Sequence, residues 1–318
     1  MTIRSSVESL LSSALDGDVG SLSKLISLIE VNPDVLLNII DLIWPRTGQA
    51  HVVGVTGLVG AGKSTLIASM TRILKKMNKK IAIIGIDPSS PLTGGSILGD
   101  RIRLQSVLGD NVFMRSMTSL SEGSLPLKAL LSIEILDAVG YNYIIVETTG
   151  AGQSDIQIMN AVDTVIVVLM PGAGDEIQAI KSGLMEIGDI YVINKADKPE
   201  AELTLSQVKF ALEGIIREGW KPPILLTAAI MNKGIKDVIN KVIEHMEYLI
   251  KTNQLTKRRK RRRKFELDLL LKWRLKERIK ELITNRNEVR EIIDKVLQGL
   301  IDPITASKKI FEFITIVH

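Results

Sequence analysis

Cysteine is absent from this 318-residue chain, which excludes a disulfide framework and every thiolate metal site. Histidine occurs only at His51, His245 and His318, too scattered along the sequence to point to a protein-built zinc or nickel centre. Aromatic residues are scarce at 4%, yet a hydrophobic content of 45% is ample for one large core with smaller appendages. Long apolar runs are missing as well. The richest, residues 162–170, is broken by Asp163 and falls far short of the roughly 20 residues that cross a bilayer. The opening segment carries Arg4 and Glu8 and has no extended apolar stretch, so neither a secretory peptide nor an Arg-rich transit peptide fits, and a cytoplasmic location is expected.

Charge is present but uneven. The formal net charge is +5, while residues 257–264 form an unbroken run of eight Lys and Arg, so the rest of the chain carries −3. Such a run reads first as a solvated, self-repelling connection or helix face. Docking of nucleic acid, anionic lipid or an acidic protein surface is the alternative.

Three segments separate by pattern. Up to residue 46, apolar residues recur at helical spacing (Leu22, Leu25, Ile26, Ile29, then Leu36, Leu37, Ile40, Ile43), which predicts a small helical N-terminal layer. Residues 47–252 alternate short β-branched runs with amphipathic stretches, the runs lying at 52–56, 81–86, 112–114, 143–146, 164–169, 190–193 and 224–226. This alternation predicts an α/β fold with a doubly wound, mostly parallel sheet. From 253 to 318 the chain passes through the basic run and returns to helical periodicity at Leu269, Trp273, Leu275, Ile279 and Leu282, then at Val289, Ile292, Ile293, Val296 and Leu300; a last helix starts at Asp302-Pro303. An apolar stripe on such an arm suits packing or dimerisation.

The chemistry sits in the middle segment. Residues 57–64 read GLVGAGKS and satisfy the G-x-x-x-x-G-K-[ST] pattern between a predicted strand and a predicted helix. The glycines let the backbone curl so that N–H groups face a β-phosphate, and the helix N-terminus adds its positive end. Gly57, Val59, Gly60, Ala61, Gly62, Lys63, Ser64 and Thr65 are the phosphate-side candidates, with Lys63 as the charge toward the β and γ phosphates and the Ser64 hydroxyl as a Mg²⁺ ligand. Asp87 and Glu147 each follow a predicted strand, at the sheet edge where ligands of open α/β sheets bind, and are further metal candidates. Asp100, in the intervening loop, is open between metal ligand and solvated charge. The segment 147–153, ETTGAGQ, has the form of a GTPase switch in which the Gly150 N–H can bond a γ-phosphate. Gln153 is a candidate for orienting the attacking water, although the glycine-rich spacing leaves its direction open. Arg101, Arg103 and Arg115 are candidates for a cis arginine, with surface ion pairing the simpler role for each.

The base is read by Asn194-Lys195-Ala196-Asp197, which follows the predicted strand 190–193 and matches N-K-x-D. The Asp197 carboxylate can accept from guanine N1–H and its amino group, whereas adenine offers no such pair of donors. A site built on those bonds rejects an analogue lacking them by about 10⁴–10⁵-fold. The Lys195 stem can cover the base, and Asn194 can brace the loop.

Together with the motif at 87–101, DPSSPLTGGSILGDR, and the segment PGAGDEIQAIK at 171–181, this order of motifs resembles the MeaB/ArgK family of GTPases, chaperones of adenosylcobalamin-dependent methylmalonyl-CoA mutase. The likeness extends to ISLIE at 26–30 and GLIDP at 299–303, so it spans nearly the whole chain. The resemblance implies a P-loop GTPase fold with a helical N-terminal extension and a C-terminal arm that forms a homodimer. It implies slow intrinsic GTP hydrolysis with Mg²⁺, acceleration by the mutase or its cobalamin-binding subunit, and a role in gating cofactor delivery. By carry-over, Lys63 and Ser64 hold phosphate and Mg²⁺, Asp87, Asp100 and Glu147 shape the metal site with Ser64, and Asp175 with Lys181 belong to a partner-sensing loop; Lys63, Glu147 and Gln153 are the candidate catalytic set. The resemblance also makes Ala228 and Ala229, at the family's Ser-Ala element, base-side candidates; the chain departs from the pattern where Val59 stands for a common proline, where Ala228 replaces a serine whose hydroxyl supports the base loop, and in the strength of the basic run. Rival functions are a nickel-insertion GTPase, which lacks its thiolate or imidazole ligands here, and a transport-system kinase, which lacks any membrane segment. Nucleic-acid binding through 257–264 lacks interleaved aromatics.

Overall fold

The computed structural model describes residues 3–88, 109, 111–119, 125–148, 156–172 and 183–315. All seven predicted apolar runs are strands: β1 (His51–Gly57), β2 (Ile81–Pro88), β3 (Val112–Ser119), β4 (Tyr143–Thr148), β5 (Thr164–Leu169), β6 (Ile190–Ile193) and β7 (Ile224–Leu226). They form one sheet in the order β3-β2-β4-β1-β5-β6-β7, every pair parallel. The near-continuous burial of β1, β4 and β5 explains why their sequences read as unbroken apolar runs rather than alternating ones.

The N-terminal layer consists of α1 (Ile3–Leu15), α2 (Val19–Val31), a 3-10 turn at Pro33–Asn38 and the short α3 (Ile40–Ile43). Asp18 caps α2 by accepting from the Gly20 and Ser21 N–H groups. Leu22, Leu25, Ile26, Ile29, Leu36 and Ile43 are buried as the helical spacing predicts, but Leu37 faces solvent. The tighter turn at Pro33–Asn38 rotates that side chain out of the 3.6-residue register. Two further helices follow β1 and β3, α4 (Lys63–Lys76) and α5 (Leu127–Ala138); α6 (Ala201–Ala211) follows β6, and α7 (Ile235–Lys251) follows β7. Helices α4 and α7 share a core with one face of the sheet through Leu66, Ile67, Met70, Val238 and Val242. Helix α5 packs against β2, β4 and α2, and its Asp137 carboxylate accepts the Gly48, Gln49 and Ala50 N–H groups at 2.5, 3.0 and 2.8 Å, fixing the entry to β1.

The chain divides into two compact units, Met1–Arg262 and Arg263–His318. The second holds most of α8 (Gln254–Asn285), then α9 (Asn287–Leu297) and α10 (Pro303–Thr315). Leu282, Val289 and Ala306 are buried within it, and Asp302 caps α10 by accepting the Thr305 N–H at 2.9 Å.

The basic run departs from its expected character. It is helical, and Arg258 and Arg262 are 4% and 5% exposed, so the solvated, self-repelling face is corrected to a partly buried anchor. Arg258 donates to both oxygens of Asp189 at 2.7 and 2.9 Å, to Glu218 at 2.8 Å and to the Asp163 carbonyl at 2.8 Å. Arg259 donates to the Gly48 and Ala50 carbonyls, Arg261 to the Met159 carbonyl at 2.7 Å, and Arg262 lies 3.6 Å from Asp163. Burial alone would raise both carboxyls. The guanidiniums of Arg262 and Arg259 beside Asp163, and of Arg258 beside Asp189, hold them below the ordinary carboxylate range instead. The two carboxylates in turn accept the Val52 and Val165 N–H groups at the start of β1 and β5, at 3.0 and 2.8 Å.

Two of the scattered histidines also meet here. The Thr164 hydroxyl bridges His51 Nε2 at 2.7 Å and His245 Nδ1 at 2.8 Å. Burial pushes both imidazoles down to about 4, so at neutral pH both are uncharged and hydrogen-bonded within the fold.

Candidate functional site

The site grows from the C-terminal ends of β1, β4, β5 and β6, where the strand order reverses around β1. Between Gly57 and Lys63 the chain curls through positive φ at Gly57 (142°), Gly60 (83°) and Gly62 (89°). A Cβ on Gly57 would collide with the Val168 carbonyl, and one on Gly62 with the Asn194 amide, so both positions demand glycine. The loop opens directly into α4, whose N-cap residue, Gly62, has no side chain to cap the first turn, the arrangement in which a helix N-terminus serves an anion. Val59 is exposed and Ala61 buried, while Thr65 sits half-buried in the first turn. The Lys63 ammonium donates to the Gly57 and Leu58 carbonyls at 2.8 and 3.1 Å, folded back against the loop it serves.

Ser64 and Glu147, two of the metal candidates, lie together. The Ser64 hydroxyl donates to Glu147 Oε1 at 2.8 Å, and both side chains are buried. One hydroxyl and one carboxylate, both hard oxygen donors beside the phosphate loop, fit the few protein ligands that Mg²⁺ takes. The next residue of β4, Thr148, donates to the Thr56 hydroxyl at 2.9 Å, tying the strand end that carries Glu147 to the strand end that carries the loop. Asp87 lies in β2 opposite Thr118, at the same edge of the sheet. Its side chain, together with Asp100, Arg101, Arg103, Gly150, Gln153, Asp175 and Lys181, lies outside the described residues. Arg115 is accounted for: it pairs with Glu30 at 2.6 and 2.9 Å and with the Ser27 hydroxyl at 2.9 Å, pinning α2 to β3.

Asn194 joins the two halves of the site. Its Nδ2 donates to the Ala61 carbonyl at 3.0 Å, and its Oδ1 accepts from the Thr227 hydroxyl and the Ala229 N–H, both at 3.1 Å. The hydroxyl that Ala228 lacks is therefore supplied one position earlier, by Thr227, whose carbonyl also accepts the Ala196 N–H at 2.8 Å. Thr227 escaped the sequence reading because its role depends on a contact 33 residues away. Lys195 adopts φ 59° and donates to the Met170 sulfur at 3.4 Å, so Met170 is a further site residue that no motif marks. Asp197 is exposed beyond it, Ala228 and Ala229 buried beneath. A curled amide loop, a buried Ser–Glu pair and an N-K-x-D loop locked to the phosphate loop can bind a guanine nucleotide and act on its γ-phosphate.

Residues 22–284 match a family profile described as Methylmalonyl Co-A mutase-associated GTPase MeaB. The chain belongs to the MeaB family. A chain of Pyrococcus abyssi that bears a GTPase name is 42% identical over 312 residues, covering 96% of both sequences. GTPase ArgK of Escherichia coli K12 is 31% identical, covering 94% of this chain and 93% of its own length. The mouse methylmalonic aciduria type A homolog, a mitochondrial protein, is 31% identical over 259 residues, with 79% and 62% covered. Among solved structures, a LAO/AO transport system kinase superposes with a TM-score of 0.69 at 26% identity over 98% of each chain. This MeaB-family protein is a P-loop GTPase that binds guanine nucleotide. Among the described residues no helix is long and apolar enough to cross a membrane.

Proposed function

We propose that this GTPase is a chaperone of an adenosylcobalamin-dependent methylmalonyl-CoA mutase, gating cofactor delivery and protecting the mutase. The observation that carries the reading is the match of residues 22–284 to the mutase-associated GTPase profile. In this reading Ser64, Asp87, Asp100 and Glu147 hold Mg²⁺, which when bound neutralises charge on the phosphate oxygens. Lys63 stabilises the transferred phosphoryl group, Gln153 orients water, and the Gly150 N–H senses the γ-phosphate. Asp175 and Lys181 report that state to the partner. Hydrolysis is slow until the mutase engages. The protein is cytoplasmic and a homodimer formed through the arm, where Leu267, Leu271 and Leu275 are exposed at successive four-residue steps. Mixing the purified protein with the mutase tests the proposal: complex formation on size exclusion and faster GTP turnover are expected. Absence of both refutes it.

A further inference from the structure

The C-terminal half of α4 and the start of α7 enclose an open groove of about 720 Å³. Its described lining includes Arg72, Lys75, Lys76 and Lys236, against a single carboxylate, Asp237. That concentration is local, because outside the run 257–264 the chain nets −3. The lining also holds the half-buried Ile73, and the 3-10 turn Ala229–Met231, which runs directly into the lining's Asn232, exposes Ile230 and Met231 at 85% and 55%. The turn is held against α4 by a hydrogen bond from the Ser69 hydroxyl to the Ala229 carbonyl at 3.0 Å.

We propose that this groove docks an acidic, amphipathic segment of a protein partner. The exposed ammoniums of Lys76 and Lys236 in one concavity select an anionic occupant, and Ile73 of the lining, with Ile230 and Met231 exposed in the adjoining turn, provides an apolar contact that a free phosphate would not use. Among the described residues no aromatic side chain lines the groove, so it offers no platform on which a nucleic-acid base could stack. The position gives the contact a purpose. Helix α4 begins at Lys63 and Ser64 of the phosphate half, and Ala229, whose N–H bonds Asn194 of the base half, lies three residues before the lining's Asn232, so an occupant touches α4 and the segment that continues from the base loop.

Fluorescence anisotropy with the full chain and a labelled peptide repeating Glu-Leu-Glu-Glu tests it, with an oligothymidylate of similar charge in parallel. Peptide binding at low salt is expected to weaken about tenfold in Lys76→Glu/Lys236→Glu and to change little in Lys257→Glu/Lys260→Glu. Both variants are expected to keep wild-type affinity for a fluorescent GDP, which reports an intact fold. Unchanged peptide affinity in Lys76→Glu/Lys236→Glu overturns the proposal, as does loss confined to Lys257→Glu/Lys260→Glu. Tighter binding of the oligothymidylate than of the peptide overturns it too.

Discussion

Replacing Arg258 with alanine removes the cation that is hydrogen-bonded to both oxygens of Asp189 inside the fold. The Arg258 and Asp189 side chains are 3% and 1% exposed and joined by two hydrogen bonds of 2.7 and 2.9 Å. In the variant the carboxylate keeps the Val165 N–H at 2.8 Å, but the neighbouring His245, at 3.7 Å, is neutral and offers no compensating charge. Removing one partner of a buried ion pair costs about 3–5 kcal/mol, because the other charge is left desolvated and unpaired. In a body of this size that corresponds to a melting temperature lower by about 10 °C. Urea unfolding followed by circular dichroism measures it, with Lys257→Ala as the exposed control, expected within about 0.5 kcal/mol of wild type. Because the pair is shielded from solvent, the deficit is expected to persist in high salt. A cost for Arg258→Ala no larger than that of the control, or one that salt abolishes, would refute the buried anchor and return the basic run to a solvated face.

Glu147→Gln keeps the shape of the Ser64 contact and removes its charge, so GTP turnover at saturating Mg²⁺ is expected to fall by about 100-fold, read by phosphate release. Burial lowers the His51 and His245 pKa values from 6.5 to about 4, so the unfolded chain takes up protons before the folded one as pH falls. Their contribution is complete above pH 6.5 and is lost progressively toward pH 4, by up to about 3 kcal/mol each. Urea midpoints at several pH values check this, and His51→Gln is expected to flatten the slope.

The parts of the molecule that were legible in the sequence are those whose signals are local. Seven short apolar runs became seven parallel strands, and the central ones, β1, β4, β5 and β6, read as unbroken runs because they are buried on both faces. The phosphate loop and Asn194 were legible because their residue types are forced by backbone curl and close approach, as at Gly57 and Gly62. The anchor at the basic run was not, since Arg258 and Asp189 lie 69 residues apart and no local pattern joins them. A signal did exist. Asp163 interrupts one apolar run and Asp189 precedes another, and two carboxylates in such positions require cations. Histidines separated by 194 positions met on one threonine for the same reason: the parallel topology, rather than any motif, brings the starts of β1 and β5 beside α7.

Strand β1 runs for seven residues from His51 to Gly57, about 20 Å of extended chain. At its entry stand the histidine–threonine bridge and the carboxylate–arginine anchor; at its exit stand the phosphate loop, Glu147 and Asn194. Substitutions more than about 10 Å apart with no shared partners act additively. Survivors selected for growth at elevated temperature and survivors selected at limiting GTP should therefore carry changes at opposite ends of the same strands, and the two sets should combine without interference.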